Sequence, residues 1–334
     1  MLAAVTGFLL TLVPALGGAQ QDADGTQQPG FTLKENVHLV IVPVTVKDKH
    51  DALVDDLTQD DFTILEDGHR RPIRYFSSET TPLSAVILID TGMAGVSVDA
   101  VRNGLRNLDQ FFTPDDEEAL IFFDNTIRTV ADFSNKSADV LAAAAKALPQ
   151  GTGSGASVLG GPLGGPLNTP PVINGVPGTA PSSAPRVEKR IDDAIFAAVQ
   201  QLRTRPIGRR RVVVILSDGA NGSDNQIRRG EVLEALAATQ VTVYALSFGS
   251  GWATPRLDLL ARFARDTGGD IAYVQRRGGL DRAFPELTNE ARNSYVLGFA
   301  PFSNDARFHE IRVRVRGHGV HLIARNRFLS IPTR

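Results

Sequence analysis

The chain has 334 residues, which at about 150 residues per domain allows two domains, and its 42% hydrophobic and 22% charged residues are ordinary for a globular protein with a sizeable core. A formal net charge of -2 gives no general attraction for nucleic acid, so no nucleic-acid partner is expected. The absence of cysteine excludes disulfides, thiolate zinc sites, iron–sulfur clusters and a cysteine nucleophile.

The chain begins with an uncharged apolar run, Leu2 to Leu16, followed by small residues and then by a polar stretch. This order is typical of a cleavable secretory signal, although no Lys or Arg precedes the apolar run. The alternative is a buried N-terminal helix, but no amphipathic period is visible. We therefore predict a signal peptide at 1–19, a disordered spacer at 20–30, and an exported protein, periplasmic or extracellular, without an integral membrane anchor.

Residues 31–80 have the composition of a small β segment. The stretch from Val37 to Val46 is rich in β-branched residues and predicts a strand, in which Pro43 favours an edge position or a bulge. Two short strand candidates follow at 62–65 and 73–76. The dipeptide Asp67-Gly68 between them favours a hairpin turn.

From residue 83 the pattern changes to alternating strands and helices. Apolar runs predict buried strands at 85–89, 119–123, 212–216, 241–246 and 271–274. Helical spacing predicts helices at 98–112, 138–148, 187–202, 229–239 and 257–265. The alternation predicts a doubly wound, mostly parallel α/β sheet covered on both faces, in a domain that spans 81–292.

One stretch interrupts this domain. Residues 150–186 are rich in Gly, Pro, Ser and Ala, and we predict a flexible surface insertion there. A basic cluster precedes the strand at 212–216. We interpret it as a solvated loop, because the chain as a whole is nearly neutral. Its members are Arg203, Arg205, Arg209, Arg210 and Arg211.

After residue 293 the chain returns to β structure, with strand candidates at 294–299, 310–316 and 320–328. A two- or three-stranded sheet is marginal by itself, and domain termini often lie close together. We therefore predict that the segments 31–80 and 293–330 pair as one small β domain, with the α/β domain inserted between them. The alternative is that each segment extends the α/β sheet separately.

The packing of this small β domain is predicted from the alternation of apolar and polar residues along its strands. In the stretch from Ile311 to Val315 apolar and arginine residues alternate strictly, so one face is buried and the other solvated. The buried face is expected to pack against residues such as Leu39 and Ile41.

Two of the predicted parallel strands end in an aspartate. Asp90 follows the strand at 85–89, and Asp218 follows the strand at 212–216. In an open α/β sheet, ligands bind outside the carboxyl ends of the strands, and two carboxylates that meet there suit a hard cation such as magnesium or manganese. The alternative is that each aspartate caps the following helix or turn.

The same two segments carry a resemblance to a known class of domain. The stretch Val86 to Gly92, taken with Val213 to Ser223, resembles the first and fourth strands of a von Willebrand factor A-type domain. The flanking motifs Asp60 to Gly68, Tyr295 to Gly298 and Ile311 to Val315 resemble a bacterial VWFA-related domain family of exported proteins. The resemblance extends over nearly all of 31–328, and it implies a von Willebrand A or Rossmann-like fold.

The resemblance also implies a site. Metal-binding A domains hold a cation through a DxSxS motif, a separate Thr and an Asp after the fourth strand. In this chain Asp90 and Asp218 match the two aspartates. The two serine positions are Gly92 and Ala94, so both hydroxyl ligands are lost.

The expected threonine is also missing. It normally precedes an apolar-Asp-Ala pattern, which survives at Asp193-Ala194-Ile195, but Lys189 and Arg190 stand nearby instead of a clear Thr. A basic side chain near the site would repel a cation. The resemblance therefore implies a degenerate metal-dependent adhesion site, with at most weak magnesium or manganese binding and no other cofactor.

The leading interpretation is a binding or scaffolding module, not an enzyme, with an unidentified protein partner at the carboxyl edge of the sheet. The residues assigned to this edge are Asp90, Thr91, Gly92, Met93, Ser217, Asp218 and Asn221. The rival interpretation is a metal-dependent hydrolase that uses Asp90 and Asp218, but no His or Lys has a clear role there as general acid or base. A third interpretation is a structural element of a larger envelope assembly. It would differ from the binding module only in that the chain co-purifies stably with that assembly.

Overall fold

A computed structural model describes residues 39–93, 102, 105–106, 111–148, 172–173, 176–177, 189–206, 208–248, 258–274, 279–317 and 319–330. The signal peptide, the spacer, most of the insertion at 150–186 and most of the helix at 98–112 lie outside these residues, so those sequence predictions stay predictions.

Strands predominate in the flanks of the chain and alternate with helices in its middle. The strands are β1 (Val40–Lys47), β2 (Phe62–Glu66), β3 (His69–Arg71), β4 (Tyr75–Ser77), β5 (Leu83–Asp90), β6 (Glu117–Phe123), β7 (Ile127–Ser134), β8 (Val172–Ile173), β9 (Val176–Pro177), β10 (Arg210–Ser217), β11 (Thr242–Ser247), β12 (Ile271–Tyr273), β13 (Tyr295–Phe299), β14 (Phe308–Val315), β15 (His321–Ala324) and β16 (Arg327–Leu329). The helices are α1 (Ser137–Ala147), α2 (Ile191–Arg203), α3 (Arg229–Thr239), α4 (Leu259–Thr267) and α5 (Gly279–Asn293).

The central sheet has six strands in the order β12-β11-β10-β5-β6-β7. Its strands are parallel except for the edge strand β7, which is antiparallel to β6. Helices α1 and α5 bury their apolar residues against one face, and α2, α3 and α4 cover the other. If the six strands are numbered 1 to 6 along the chain and read from β7 to β12, their order is 3-2-1-4-5-6, which is the Rossmann order. The predicted doubly wound, mostly parallel sheet is confirmed.

The short hairpin β8-β9, strand β7 and helix α5 of this domain were not predicted. Strand β7 lies at the edge of the sheet and is only partly buried, so its sequence has no continuous apolar run. Helix α5 carries a buried apolar stripe that includes Leu280, Phe284 and Leu287, but Pro285 interrupts the pattern. Proline removes a backbone donor within a helix and normally argues against one.

Two four-stranded antiparallel sheets, β15-β1-β13-β4 and β16-β14-β2-β3, are built from both flanks of the chain. In the first, β1 pairs with β13 and β15, and in the second, β2 pairs with β14. A separate apolar cluster lies between them. The small β domain in the predicted fold class is thus present and is formed by the N- and C-terminal flanks.

Strand β1 differs from its prediction in two ways. It is an interior strand of its sheet rather than an edge strand, and Pro43 is tolerated because pairing with β15 begins only at Val44. Its inward residues are Val40, Val42, Val44 and Val46, which pack in the cluster with Ile311. The prediction that Leu39 and Ile41 face this core was wrong by one residue, which reverses the face in a strand.

The hairpin at Asp67-Gly68 also has a different partner from the one predicted. Both residues have positive φ, +47° and +83°, as a two-residue hairpin turn of the primed type requires. The turn joins β2 to β3, whereas the predicted partner at 73–76 corresponds to β4 in the other sheet.

Candidate functional site

The candidate site lies at the carboxyl ends of β5 and β10, which are neighbours in the sheet. The strand order reverses between them, and such a switch point forms the ligand crevice in doubly wound folds. Asp90 ends β5 and is fully buried, and Asp218 follows β10 and is partly exposed. The structure therefore brings together the two carboxylates that the sequence singled out.

A lysine lies between these carboxylates. The Lys189 ammonium nitrogen is 2.7 Å from both carboxylate oxygens of Asp218 and 3.0 Å from Oδ2 of Asp90. The Lys189 residue is only 4% exposed, so the contact is shielded from water. An ammonium group thus occupies the position where a bridging cation would lie.

The backbone from Lys189 to Ile191 is held in place. The carbonyl oxygen of Lys189 accepts a hydrogen bond from the Gly222 amide at 2.7 Å, and the Arg190 amide donates to the Asp124 carbonyl at 2.9 Å. The amide of Ile191, which begins α2, donates to Oδ1 of Asn221 at 2.9 Å. These contacts connect the start of α2 to the loop after β10, and they fix the direction of the lysine side chain.

Asp90 has hydrogen-bond donors on both of its oxygens. The Gly92 amide donates to Oδ1 at 2.9 Å, and the Ser217 hydroxyl donates to Oδ2 at 2.6 Å. Burial raises the pKa of Asp90, whereas the positive charge of Lys189 and the hydrogen bond from Ser217 oppose this rise. The carboxylate is therefore stabilised by the ammonium and two neutral donors.

The residues present do not fit a divalent cation. Lys189 already contacts both aspartates, and a dication beside it would meet like-charge repulsion. Among the described residues there is no group of three or more His, Cys, Asp or Glu side chains that could hold a metal ion. The basic side chain expected near the site is present, but as a direct partner of the carboxylates. Sequence reasoning named Lys189 and missed this role.

The role of a second group of acidic side chains was also missed, although Asp193 was named as part of the surviving apolar-Asp-Ala pattern. Asp193 in the first turn of α2 accepts hydrogen bonds from the amides of Gln226 and Ile227, at 3.0 and 2.8 Å. Its neighbour Asp192 accepts from the Asn221 side-chain amide at 2.8 Å. Both aspartates are buried, and they anchor the loop that carries Asp218. The available signal was a pair of acids at a helix start, which often serves only to cap the helix.

The residues assigned to the partner-binding edge differ in exposure. Four of them lie beneath the surface and are not accessible to a partner: Asp90, Gly92, Met93 and Ser217. Thr91, Asp218 and Asn221 are partly exposed, and Ala220 and Asp224 beside them are exposed. Among the described residues, the accessible part of this edge is therefore Thr91 and the loop at 218–224, which we call the edge loop. That a partner binds there stays a prediction.

No family model and no curated protein sequence matches the chain. Similar solved structures include a von Willebrand factor type A protein from Catenulispora acidiphila, with 9% identity and a TM-score of 0.45 over 90% of this chain and 75% of that chain. Proximal thread matrix protein 1 from the mussel byssus has 12% identity and a TM-score of 0.44 over 65% of this chain and 49% of that one. BatB from Bacteroides thetaiotaomicron has 14% identity and a TM-score of 0.41 over 63% of this chain and 98% of that one. The chain spans about half the length of the mussel protein.

The strand order and the switch point define the fold class. The chain contains a doubly wound α/β domain of the Rossmann-like type, joined to a small β domain. No helix in the described part of the chain combines the length and the apolar character needed to cross a bilayer.

Proposed function

We propose that the chain is an exported protein-binding or scaffolding module of the von Willebrand A type, in which Lys189 replaces the metal ion of the degenerate adhesion site. The observation that supports this is the Lys189 ammonium, 2.7 Å from Asp218 and 3.0 Å from Asp90. Because it supplies the positive charge that both carboxylates need, the edge loop can be held without a metal. Binding of the protein partner would then be independent of metal. Export is supported by the apolar N-terminal sequence.

The rival function, a metal-dependent hydrolase, requires Asp90 and Asp218 to hold a cation that activates water. Lys189 engages both of these carboxylates. The histidines that the structure describes all belong to the flanking β segments, far in sequence from the edge loop. These are His50, His69, His309 and His321. We therefore favour the binding module over the enzyme.

The proposal is tested by capturing partners from an envelope extract with the immobilised chain. We expect the same partner to be captured in EDTA and in magnesium, and we expect Ala220→Arg to abolish capture. Ala220 is exposed on the edge loop, so arginine there adds bulk and charge without disturbing the core. The matched control is Ala142→Arg, the same change at an exposed position of α1.

Two results would count against the proposal. Loss of capture in EDTA would show that the partner needs a metal. Equal capture by Ala220→Arg and Ala142→Arg would show that the edge loop is not the interface.

A further inference from the structure

A cavity of about 510 Å³ lies near the start of β10, at the opposite end of the strand from the candidate site. One wall is a face of the sheet β15-β1-β13-β4. It is the face opposite the apolar cluster that lies between the two antiparallel sheets, which we call the sandwich core. The other wall contains four arginines, and we call the space the arginine cavity. The lining residues used below are Ile41, Tyr75, Thr80, Val296, Arg209, Arg210, Arg211 and Arg325. Its volume is within the range of small-molecule sites.

The sheet wall is largely apolar. Ile41, Gly298 and Tyr75 are aligned across three paired strands, and Pro43, Val296 and Ser77 form the next row. Since the valines of β1 face the sandwich core, Ile41 and Pro43 point to the cavity side. A Cβ atom at Gly298 would lie 2.8 Å from Cβ of Tyr75, so this row needs glycine. Tyr75 is 47% exposed, which leaves its ring accessible to a ligand.

Negative charge is scarce in the cavity: the carboxylate among its lining residues is Glu79, which is exposed to solvent, and four arginines face it. Arg210 is buried and donates to the carbonyls of Ala291 and Ser294 and to the Ser294 hydroxyl. Arg211 donates to two backbone carbonyls, of Thr239 at 3.1 Å and of Arg205 at 2.6 Å. Neither forms an ion pair with a described residue. The interpretation of this cluster as a solvated loop was wrong for Arg210 and Arg211, which begin strand β10, and Arg210 is also buried.

Arg325 is the most unusual member. It is 4% exposed, and its side chain makes no hydrogen bond or ion pair with any residue that the structure describes. Burial lowers the pKa of this guanidinium to about 10. A buried cation without a counter-charge opposes folding, and such a group is normally paired. Among the described residues, only Arg209 of these four arginines has a carboxylate within ion-pair distance, Glu117 at 3.3 Å.

We propose that the arginine cavity binds a small molecule that carries a carboxylate or phosphate group on an apolar or aromatic body. Both anions match the planar fork of a guanidinium group and accept paired hydrogen bonds from it. The anionic group supplies the missing counter-charge near Arg325 and Arg211. The body of the ligand packs against Tyr75, Ile41 and Val296. This site is separate from the edge loop, so it does not depend on the proposed protein-binding function.

The test uses the full chain and three probes: benzoate, phenyl phosphate and neutral benzamide. Binding is followed by calorimetric titration and by the thermal unfolding midpoint. We expect benzoate or phenyl phosphate to bind and to raise the midpoint, and the stronger of the two identifies the anion. Benzamide has the same ring without the charge, and we expect no shift with it. Equal shifts with benzamide, or none with either anion, would overturn the proposal.

The first variant is Arg325→Met, which keeps much of the side-chain volume and removes the charge. We expect the free variant to unfold at a higher temperature than the wild-type protein, because an unpaired buried charge is gone. We also expect anion affinity to fall by about tenfold or more. The matched control is Arg282→Met, at a side chain that is 85% exposed and pairs with Glu286, and it should bind the anion like the wild-type protein.

A second pair of variants decides the question if Arg325→Met does not fold. Thr80 is exposed at the rim of the cavity. We expect Thr80→Glu to weaken anion binding about tenfold by placing a negative charge beside the arginines, and Thr80→Gln to change it by less than about threefold. Equal affinities for these two variants would show that the anion binds elsewhere.

Discussion

Replacement of Lys189 by Ala is expected to lower the free energy of unfolding by about 3–5 kcal/mol, the cost of breaking a buried ion pair by removal of one partner. The reason is the burial of Asp90, which is fully shielded from solvent and lies 3.0 Å from the ammonium. Without Lys189, the donors that remain on its carboxylate are the Gly92 amide and the Ser217 hydroxyl. Two neutral donors do not replace a full positive charge. The measurement is urea unfolding of both proteins at neutral pH.

Two comparisons separate this effect from a general loss of side-chain packing. Lys146→Ala, at an exposed position of α1, should change the free energy of unfolding by less than about 0.5 kcal/mol. In a double-mutant cycle, Asp90→Asn should reduce the cost of Lys189→Ala, because the neutral amide needs no counter-charge. A cycle in which the two changes simply add would contradict the proposed pairing of these side chains.

Lys47→Ala is expected to have the second large effect, again about 3–5 kcal/mol near pH 8. Lys47 lies on β1 and is buried, and its ammonium contacts Glu290 on α5 and Asp270 before β12, the latter at 2.9 Å. It therefore joins the small β domain to the α/β domain. Its loss would leave the buried Glu290 carboxylate without a cation.

The effect of Lys47→Ala should depend on pH. Burial raises the pKa of Glu290 to about 7, and the hydrogen bond and charge of Lys47 oppose that rise. Without Lys47 the pKa of the folded state rises further above the unfolded value of 4.5. A raised carboxyl pKa contributes stability that is present below the unfolded pKa and is lost as pH increases through the folded pKa. The variant should therefore be closest to the wild-type protein near pH 5 and furthest from it near pH 8.

Urea unfolding at these two pH values provides the measurement for Lys47. The matched control is Lys49→Ala, two residues further on and exposed, which should leave stability nearly unchanged at both. A deficit for Lys47→Ala that is the same at pH 5 and pH 8 would contradict the role assigned to Glu290.

Elements that are buried on both faces leave the clearest signal in the sequence. Strands such as β5 and β10 are of this kind, so their sequences are continuous apolar runs that are easily recognised. The edge strand β7 is only partly buried, and α5 carries a proline, so both lack the usual pattern. The sequence did not show which residues of β1 face the core of the small β domain. Both faces of this strand are covered, so apolar and polar residues do not alternate strictly along it.

The site was predictable in part for a similar reason. Asp90 and Asp218 each follow a buried strand, so their positions at the carboxyl edge follow from the fold. Lys189 lies 99 residues after Asp90 in the chain, at the start of a helix, and nothing local shows where its side chain points. The lack of counter-charge around Arg325 is likewise a property of long-range packing, because its surroundings come from distant strands.

The central claim is that Lys189 stands in place of the metal ion, and calorimetric titration with manganese tests it most directly. Wild-type protein and Lys189→Ala are titrated in parallel. We expect no binding to the wild-type protein tighter than millimolar, or roughly 4 kcal/mol, and at least about tenfold tighter binding to Lys189→Ala, where the Lys189 ammonium no longer occupies the space between the two carboxylates. A micromolar manganese site in the wild-type protein that Asp218→Ala abolishes would contradict the account.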